Sequence, residues 1–218
     1  MALDIITISF GFVNCYLLKT RTGFVLIDTG MSFLRGPLKK ALKGAECESE
    51  DLKLIVITHA DFDHTGNGVW LRKKYGVKIA VHRDEVEAVE TGRMFLSRKT
   101  KFGLFTRLVM YLGGLLIYRR FKPDVIVSDG DDLLEYGLDG RIIHIPGHST
   151  GSIGVLTGEG DFFCGDLMAN NGRPKKNALV DDEAEMDASI ERLKALNVKT
   201  VYPGHGRPFK MEEYSEND

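Results

Sequence analysis

The sequence has 218 residues, 43 % hydrophobic, with 29 Lys and Arg against 31 Asp and Glu and a formal net charge of −2. A chain of this size can bury a substantial core, which predicts one layered α/β domain over residues 1–218, and the balanced charge argues against a nucleic-acid surface held by counterion release. Three cysteines without a CxxC pair suit a reducing, cytoplasmic setting, and no run is long and apolar enough for stable membrane insertion.

Met1-Ala2-Leu3-Asp4 carries an early acid and no basic run, so it reads as the approach to a strand rather than as a signal peptide. Leu3 to Ser9 alternates, and Asn14 to Lys19 and Gly23 to Ile27 follow as strands around a polar turn. Asp28-Thr29-Gly30 closes the third strand. Its carboxylate has two readings of equal weight, a turn former or a hydrogen-bond partner for a metal-binding histidine. Phe33 to Lys43 predicts a helix ending at Gly44, and the apolar run Leu52 to Ile57 predicts a strand.

That strand delivers Thr58-His59-Ala60-Asp61-Phe62-Asp63-His64-Thr65-Gly66, two imidazoles and two carboxylates in six consecutive positions. A helix over Gly68 to Tyr75 comes next, which places the cluster on a strand-to-helix loop where sites are commonly built. Val77 to Val81 reads as a buried parallel strand, and His82 after it as a cap or surface residue. From about 92 to 122 the chain turns basic, apolar and helix-prone. This variable segment predicts a lid, a homodimer contact or a membrane-surface helix, and as a lid it implies a substrate with an apolar portion.

Val125 to Val127, Leu133 to Tyr136 and Arg141 to Ile145 predict short strands, with His144 packed or hydrogen-bonded in the last of them. His148 then stands in Pro146-Gly147-His148-Ser149-Thr150-Gly151-Ser152. A hairpin of Ile153 to Leu156 and Asp161 to Cys164 is expected to end at Gly165-Asp166, followed by Arg173, Lys175 and Lys176, read as a solvated basic loop. Asp182 to Leu196 predicts a capped helix, and Lys199 to Tyr202 a strand ending in Pro203-Gly204-His205-Gly206.

His59, Asp61, Asp63, His64, His148, Asp166 and His205 thus all follow predicted strands and can converge at one sheet edge. Their nitrogen and oxygen donors suit Zn, Fe or Mn, and seven donors suffice for two divalent ions. A bridged pair of ions lowers the pKa of bound water, which points to hydrolysis.

Leu26 to Gly30, Thr58 to Gly66, Pro146 to Ser152, Gly165-Asp166 and Pro203 to Gly206 resemble, in order, the motifs of the metallo-β-lactamase fold superfamily on its glyoxalase-II-like side. The resemblance implies a four-layer αββα sandwich of two mixed β-sheets flanked by helices. It implies one metal on His59, Asp61 and His148, a second on Asp63, His64 and His205, and Asp166 between them, with zinc ranked ahead of iron and manganese. It also implies a bridging hydroxide that attacks the carbonyl of a small ester, thioester or lactone, with Asp63 orienting it or moving a proton. The sequence departs from the family's His-x-His-x-Asp-His at Asp61, which replaces the second histidine. A carboxylate there also fits an iron-dependent oxidoreductase of flavo-diiron or sulfur-dioxygenase type, and a non-catalytic binding module is the third reading.

Overall fold

The computed structural model describes residues 3–93 and 118–215. Period-two alternation fixes the architecture. Along β2 (Asn14–Lys19), Cys15 and Leu17 face one way, and Tyr16 and Leu18 the other; β3 (Phe24–Ile27) repeats this with Phe24 and Leu26 against Val25 and Ile27. Both faces are apolar, so both must be covered.

The first sheet has the order β1 (Asp4–Ser9), β2, β3, β4 (Leu52–Val56), β5 (Lys78–His82), β6 (Val125–Val127), antiparallel to β3 and parallel thereafter. In the second, β12 (Phe209–Lys210), β11 (Thr200–Gly206), β9 (Asp161–Asn170), β8 (Ile153–Thr157) and β7 (Gly140–His144) lie in that order, and β10 (Pro174–Lys176) pairs with β9. Tyr16, Leu18, Val25, Ile27, Leu54 and Val56 meet Ile142, Ile153, Val155 and Phe163 between the sheets. The outer face of the first sheet packs Leu38 and Leu42 of α1 (Gly36–Gly44), Leu71 of α3 (Gly68–Tyr75) and Val89 of α4 (Val86–Thr91). On the second sheet's outer face lie Met186, Ile190 and Leu193 of α5 (Glu183–Ala195), whose N-terminus Asp182 caps by accepting from Glu185 N–H. Three apolar layers between four structural ones make the expected αββα sandwich.

Several local expectations are corrected. Leu133 to Tyr136 is not a strand: Leu134–Tyr136 forms a 3-10 turn, because Asp132 Oδ1 accepts from Leu134 N–H and Gly137 (φ 79) ends it. The first helix starts at Gly36, with Pro37 in its first turn, rather than at Phe33. Within the His/Asp cluster, Phe62–Thr65 forms a short helix, α2, with Asp61 at its N-cap position. Arg173 to Lys176 is not a free loop, since Pro174–Lys176 is β10 and Lys176 pairs with Asp187 at 2.5 Å.

β9 also does not stop at Cys164. It runs on to Asn170 alongside β11, but between the pairs Tyr202↔Phe163 and His205↔Ala169 it advances six residues (163 to 169) while β11 advances three (202 to 205). The surplus residues bulge, and Asp166 rides on the bulge. His205 likewise lies inside β11 rather than beyond its end.

All three cysteines are free and buried. Among the described residues no helix is long and apolar enough to cross a membrane. Most of the variable segment at 92–122 lies outside the described residues; Tyr118 and Phe121 at its far end are buried.

Candidate metal centre

The seven donors come together at one edge of the sandwich. His59 leaves the end of β4, Asp61, Asp63 and His64 sit on or beside α2, His148 is in the β7–β8 loop, Asp166 is on the β9 bulge and His205 is in β11. Two triads have mutually close donor atoms, His59/Asp61/His148 and Asp63/His64/His205, and Asp166 lies near both. Its Oδ2 is 3.2 Å from His205 Nε2 and 3.8 Å from His148 Nε2, and its Oδ1 is 3.3 Å from His64 Nε2. In the first triad, Asp61 Oδ2 is 3.3 Å from His148 Nε2 and 3.5 Å from His59 Nε2. In the second, Asp63 Oδ2 is 3.6 Å from His205 Nε2 and 3.9 Å from His64 Nε2.

All four histidines turn Nε2 inward because Nδ1 is engaged outside. His148 Nδ1 donates to the Leu179 carbonyl (2.7 Å), His205 Nδ1 to the Phe12 carbonyl (2.6 Å), and His64 Nδ1 to Asp28 Oδ2 (2.7 Å). The Thr58 hydroxyl donates to Asp28 Oδ2 (2.8 Å), so its oxygen receives His59 Nδ1–H at 3.0 Å. In its neutral form each imidazole is thereby held in the tautomer that leaves a lone pair on Nε2, the arrangement metal ligation requires. Asp28 receives a third bond, from Thr58 N–H at 2.8 Å, and holds a left-handed backbone at φ 58. It does more than form a turn: it ties the β3 end to the His59 and His64 loop.

The donor atoms pass a fit test for divalent ions. His59 Nε2, His64 Nε2 and Asp166 Oδ1 are buried and make no hydrogen bond, which is costly for polar atoms unless something charged completes them. Two donors about 2.05 Å from one tetrahedral ion stand about 3.3 Å apart, close to the shorter separations above. Gly204 is required beside them, since a Cβ there would lie 2.5 Å from Asp166 Oδ1 and 2.7 Å from His64 Cε1.

Electrostatics divides the histidines. Burial, reinforced by His64 and His148, lowers His59 to about 4. Burial also disfavours the charged form of His64, but the carboxylates of Asp28, Asp166 and Asp63 outweigh it and raise its pKa. For His205 burial is again opposed, and overcome, by the hydrogen bond and charge of Asp166. Desolvation raises Asp63, whereas Asp166 falls well below the carboxylate range because His64, His205 and His148 outweigh its burial. Among the seven donors the most exposed are His205 and Asp63, whose side chains are 21 % and 14 % exposed, and the remaining donors are nearly closed off.

Glu85 was not recognisable as part of this region from the sequence. It is buried, and accepts from Ala60 N–H (2.8 Å), Ser149 Oγ (2.7 Å) and Gly151 N–H (3.1 Å), so one carboxylate joins the loop carrying His59 to the loop carrying His148. The available signal was its spacing to Val89, four residues on and also buried. His82, Asp84 and His144 form a further group whose donor atoms lie close to one another.

Comparison with known proteins agrees with this geometry. The Metallo-beta-lactamase superfamily model matches residues 8–205. The chain belongs to the metallo-beta-lactamase superfamily. It is 25 % identical over 219 residues to a Drosophila melanogaster Beta-lactamase-like protein 2 homolog, covering 94 % of this chain and 63 % of that one, so the chain spans less than two thirds of that relative. It is 27 % identical to hydroxyacylglutathione hydrolase GloC of Haemophilus influenzae, covering 94 % of this chain and 91 % of the relative. A solved metallo-beta-lactamase family protein from Thermus thermophilus shares the fold at TM-score 0.74 and 21 % identity, covering 97 % of this chain and 76 % of that structure.

Proposed function

We propose that this superfamily member is a dinuclear metal-dependent hydrolase acting on a small ester, thioester or lactone. The observation that carries the reading is the set of four inward Nε2 atoms around three carboxylates, with His59 Nε2, His64 Nε2 and Asp166 Oδ1 buried and unbonded. His59, Asp61 and His148 would hold one ion, Asp63, His64 and His205 the other, and Asp166 would bridge them. Bound there, two divalent ions supply Lewis acidity and a nucleophilic water of lowered pKa.

The chain's own residues do the positioning. Asp28, Thr58 and the Leu179 and Phe12 carbonyls fix the tautomers, so the histidines need little reorganisation when substrate arrives. Asp63 is one of the two most exposed donors and has its pKa raised by burial, which suits it to take and return a proton during acyl cleavage. A groove of about 680 Å³ bordered by Phe12, Asn14, Asn170, Asn171, Gly206 and Arg207 adjoins the chain on either side of the His205–Phe12 hydrogen bond without being lined by the donors themselves, and offers an apolar ring, 48 % exposed, and polar groups for the part of a substrate remote from the reacting carbonyl. The name of the Haemophilus influenzae relative, a hydroxyacylglutathione hydrolase, supports an acyl compound as the class.

A second reading, iron-dependent redox chemistry, draws on Asp61, whose hard carboxylate enters the donor set in place of an imidazole. Metal analysis of the purified protein with a panel of thioesters and lactones tests both, run in parallel on Asp61→His. Hydrolysis should require bound metal and be abolished in His64→Ala and Asp166→Ala. Turnover surviving both substitutions would defeat the hydrolase mechanism, and iron content with oxygen-dependent turnover but no esterase activity would favour the second reading.

A further inference from the structure

His82 ends β5 in the first sheet and His144 ends β7 in the second, so the two rings meet across the sandwich. They stack at 4.4 Å between centroids with 9° between planes, which leaves no hydrogen bond from one ring to the other to explain the pairing. His144 Nε2 donates to the Thr150 carbonyl at 2.9 Å, which leaves a lone pair on its Nδ1. His82 Nδ1 carries its lone pair too, now spent on a long 3.3 Å bond from Asp84 N–H that an ion would replace. That same Nδ1 lies 3.6 Å from Asp84 Oδ2, near the separation of two donors on one ion, and the three residues offer donor atoms all within 4.8 Å of one another.

We propose that His82, Asp84 and His144 form a peripheral site for one divalent first-row transition ion, separate from the central donors, which clamps the two sheets together. Two neutral imidazoles and one carboxylate are the donor set that zinc and its neighbours take, with solvent completing the coordination. The Thr150 carbonyl holds His144 as the Leu179 and Phe12 carbonyls hold His148 and His205, fixing the tautomer from outside. Asp84 is 44 % exposed on a short turn, so its carboxylate can swing toward an ion without disturbing the core. Nearby charge does not block a cation. Asp129 accepts from His144 N–H and pairs with Arg192, so that arginine is already neutralised; Arg83 is the remaining nearby positive charge, and the Asp84 carboxylate that would ligate the ion offsets it. Because Thr150 sits between His148 and Gly151, the clamp would also stiffen the loop that carries His148.

The test counts zinc ions per chain by equilibrium dialysis of the zinc-loaded protein, comparing the parent with Asp84→Asn, His82→Gln and His144→Gln. The parent should hold one zinc more than each variant, with the variants' affinity for that ion reduced at least about tenfold, and excess zinc should raise the parent's Tm more than theirs. Asp84→Asn changes an exposed side chain and keeps the comparison interpretable if a histidine variant folds poorly. Equal zinc content and equal zinc-dependent Tm shifts in the parent and Asp84→Asn would overturn the proposal. The readout is a difference between parent and variant, so it is independent of whether the central donors support hydrolysis.

Discussion

Asp28→Asn should loosen the metal centre without touching a proposed ligand. Asparagine is nearly the same shape and tolerates the left-handed backbone at φ 58, so strain is not introduced. The loss is one of hydrogen-bond polarity. Asp28 accepts from Thr58 N–H, Thr58 Oγ1 and His64 Nδ1–H, all within 2.8 Å, and its amide replacement can present an oxygen to only one side. If the amide NH₂ faces Thr58 N–H, two buried donors oppose each other, which costs about 1–3 kcal/mol. If it faces His64, Nδ1 must become the acceptor and the proton moves to Nε2, the atom that points at Asp166. Either outcome matches the about 10–100-fold loss in metal affinity typical of such partners, or about 1.4–2.8 kcal/mol. Competition of the protein with a chromogenic chelator measures it, with circular dichroism to confirm an intact fold. A loss below about threefold, short of that range, would refute the claim that Asp28 sets the His64 tautomer.

Gly204→Ala should also deplete the centre, because its Cβ would stand 2.5 Å from Asp166 Oδ1; metal retained after dialysis at the parent's level would contradict this. Glu85→Ala strands the buried Ala60 and Gly151 N–H groups and should lower stability by at least about 2 kcal/mol in urea titration, with metal affinity falling as the two loops separate. His64 has a folded pKa above its ordinary 6.5, so in metal-free protein its proton stabilises the fold fully below 6.5, and this contribution is lost as pH rises through the elevated value. Metal binding near neutral pH should therefore release a proton, seen as a calorimetric enthalpy that depends on the buffer's ionisation heat; independence from the buffer would contradict it.

The αββα layers were legible through the order of the motifs and their resemblance to a known family; the structure supplies the physical reason, since β2 and β3 are apolar on both sides and need cover on both. Local exceptions were not legible because tertiary contacts decide them. Leu133 to Tyr136 has a strand-like composition, yet Asp132 and Gly137 close it into a turn against Thr20 and Thr22. The β9 bulge leaves no mark on sequence periodicity, as it arises from the mismatch with β11. Glu85 reads as a charge on a short helix until the two loops it joins are placed around it.

Asp61 shows how the same limits act inside the centre. From sequence, a carboxylate that reaches roughly 2 Å less than an imidazole demands that the chain move toward the ion or leave a gap for water. Its Oδ2 nevertheless stands 3.3 Å from His148 Nε2 and 3.5 Å from His59 Nε2, because the N-cap position of α2, held by His64 N–H and Thr65 N–H on the Asp61 carbonyl, sets the side chain over the triad. Reach alone therefore does not argue against Asp61 as a donor. What the substitution changes is charge: Asp61, Asp63 and Asp166 offset about three of the about four positive charges of two divalent ions, where a histidine at 61 would leave two carboxylates to do so. A more neutral centre acidifies bound water less, so Asp61→His should shift the pH–rate profile of the metal-loaded protein toward lower pH, and a profile that stays in place or moves upward would contradict the charge argument.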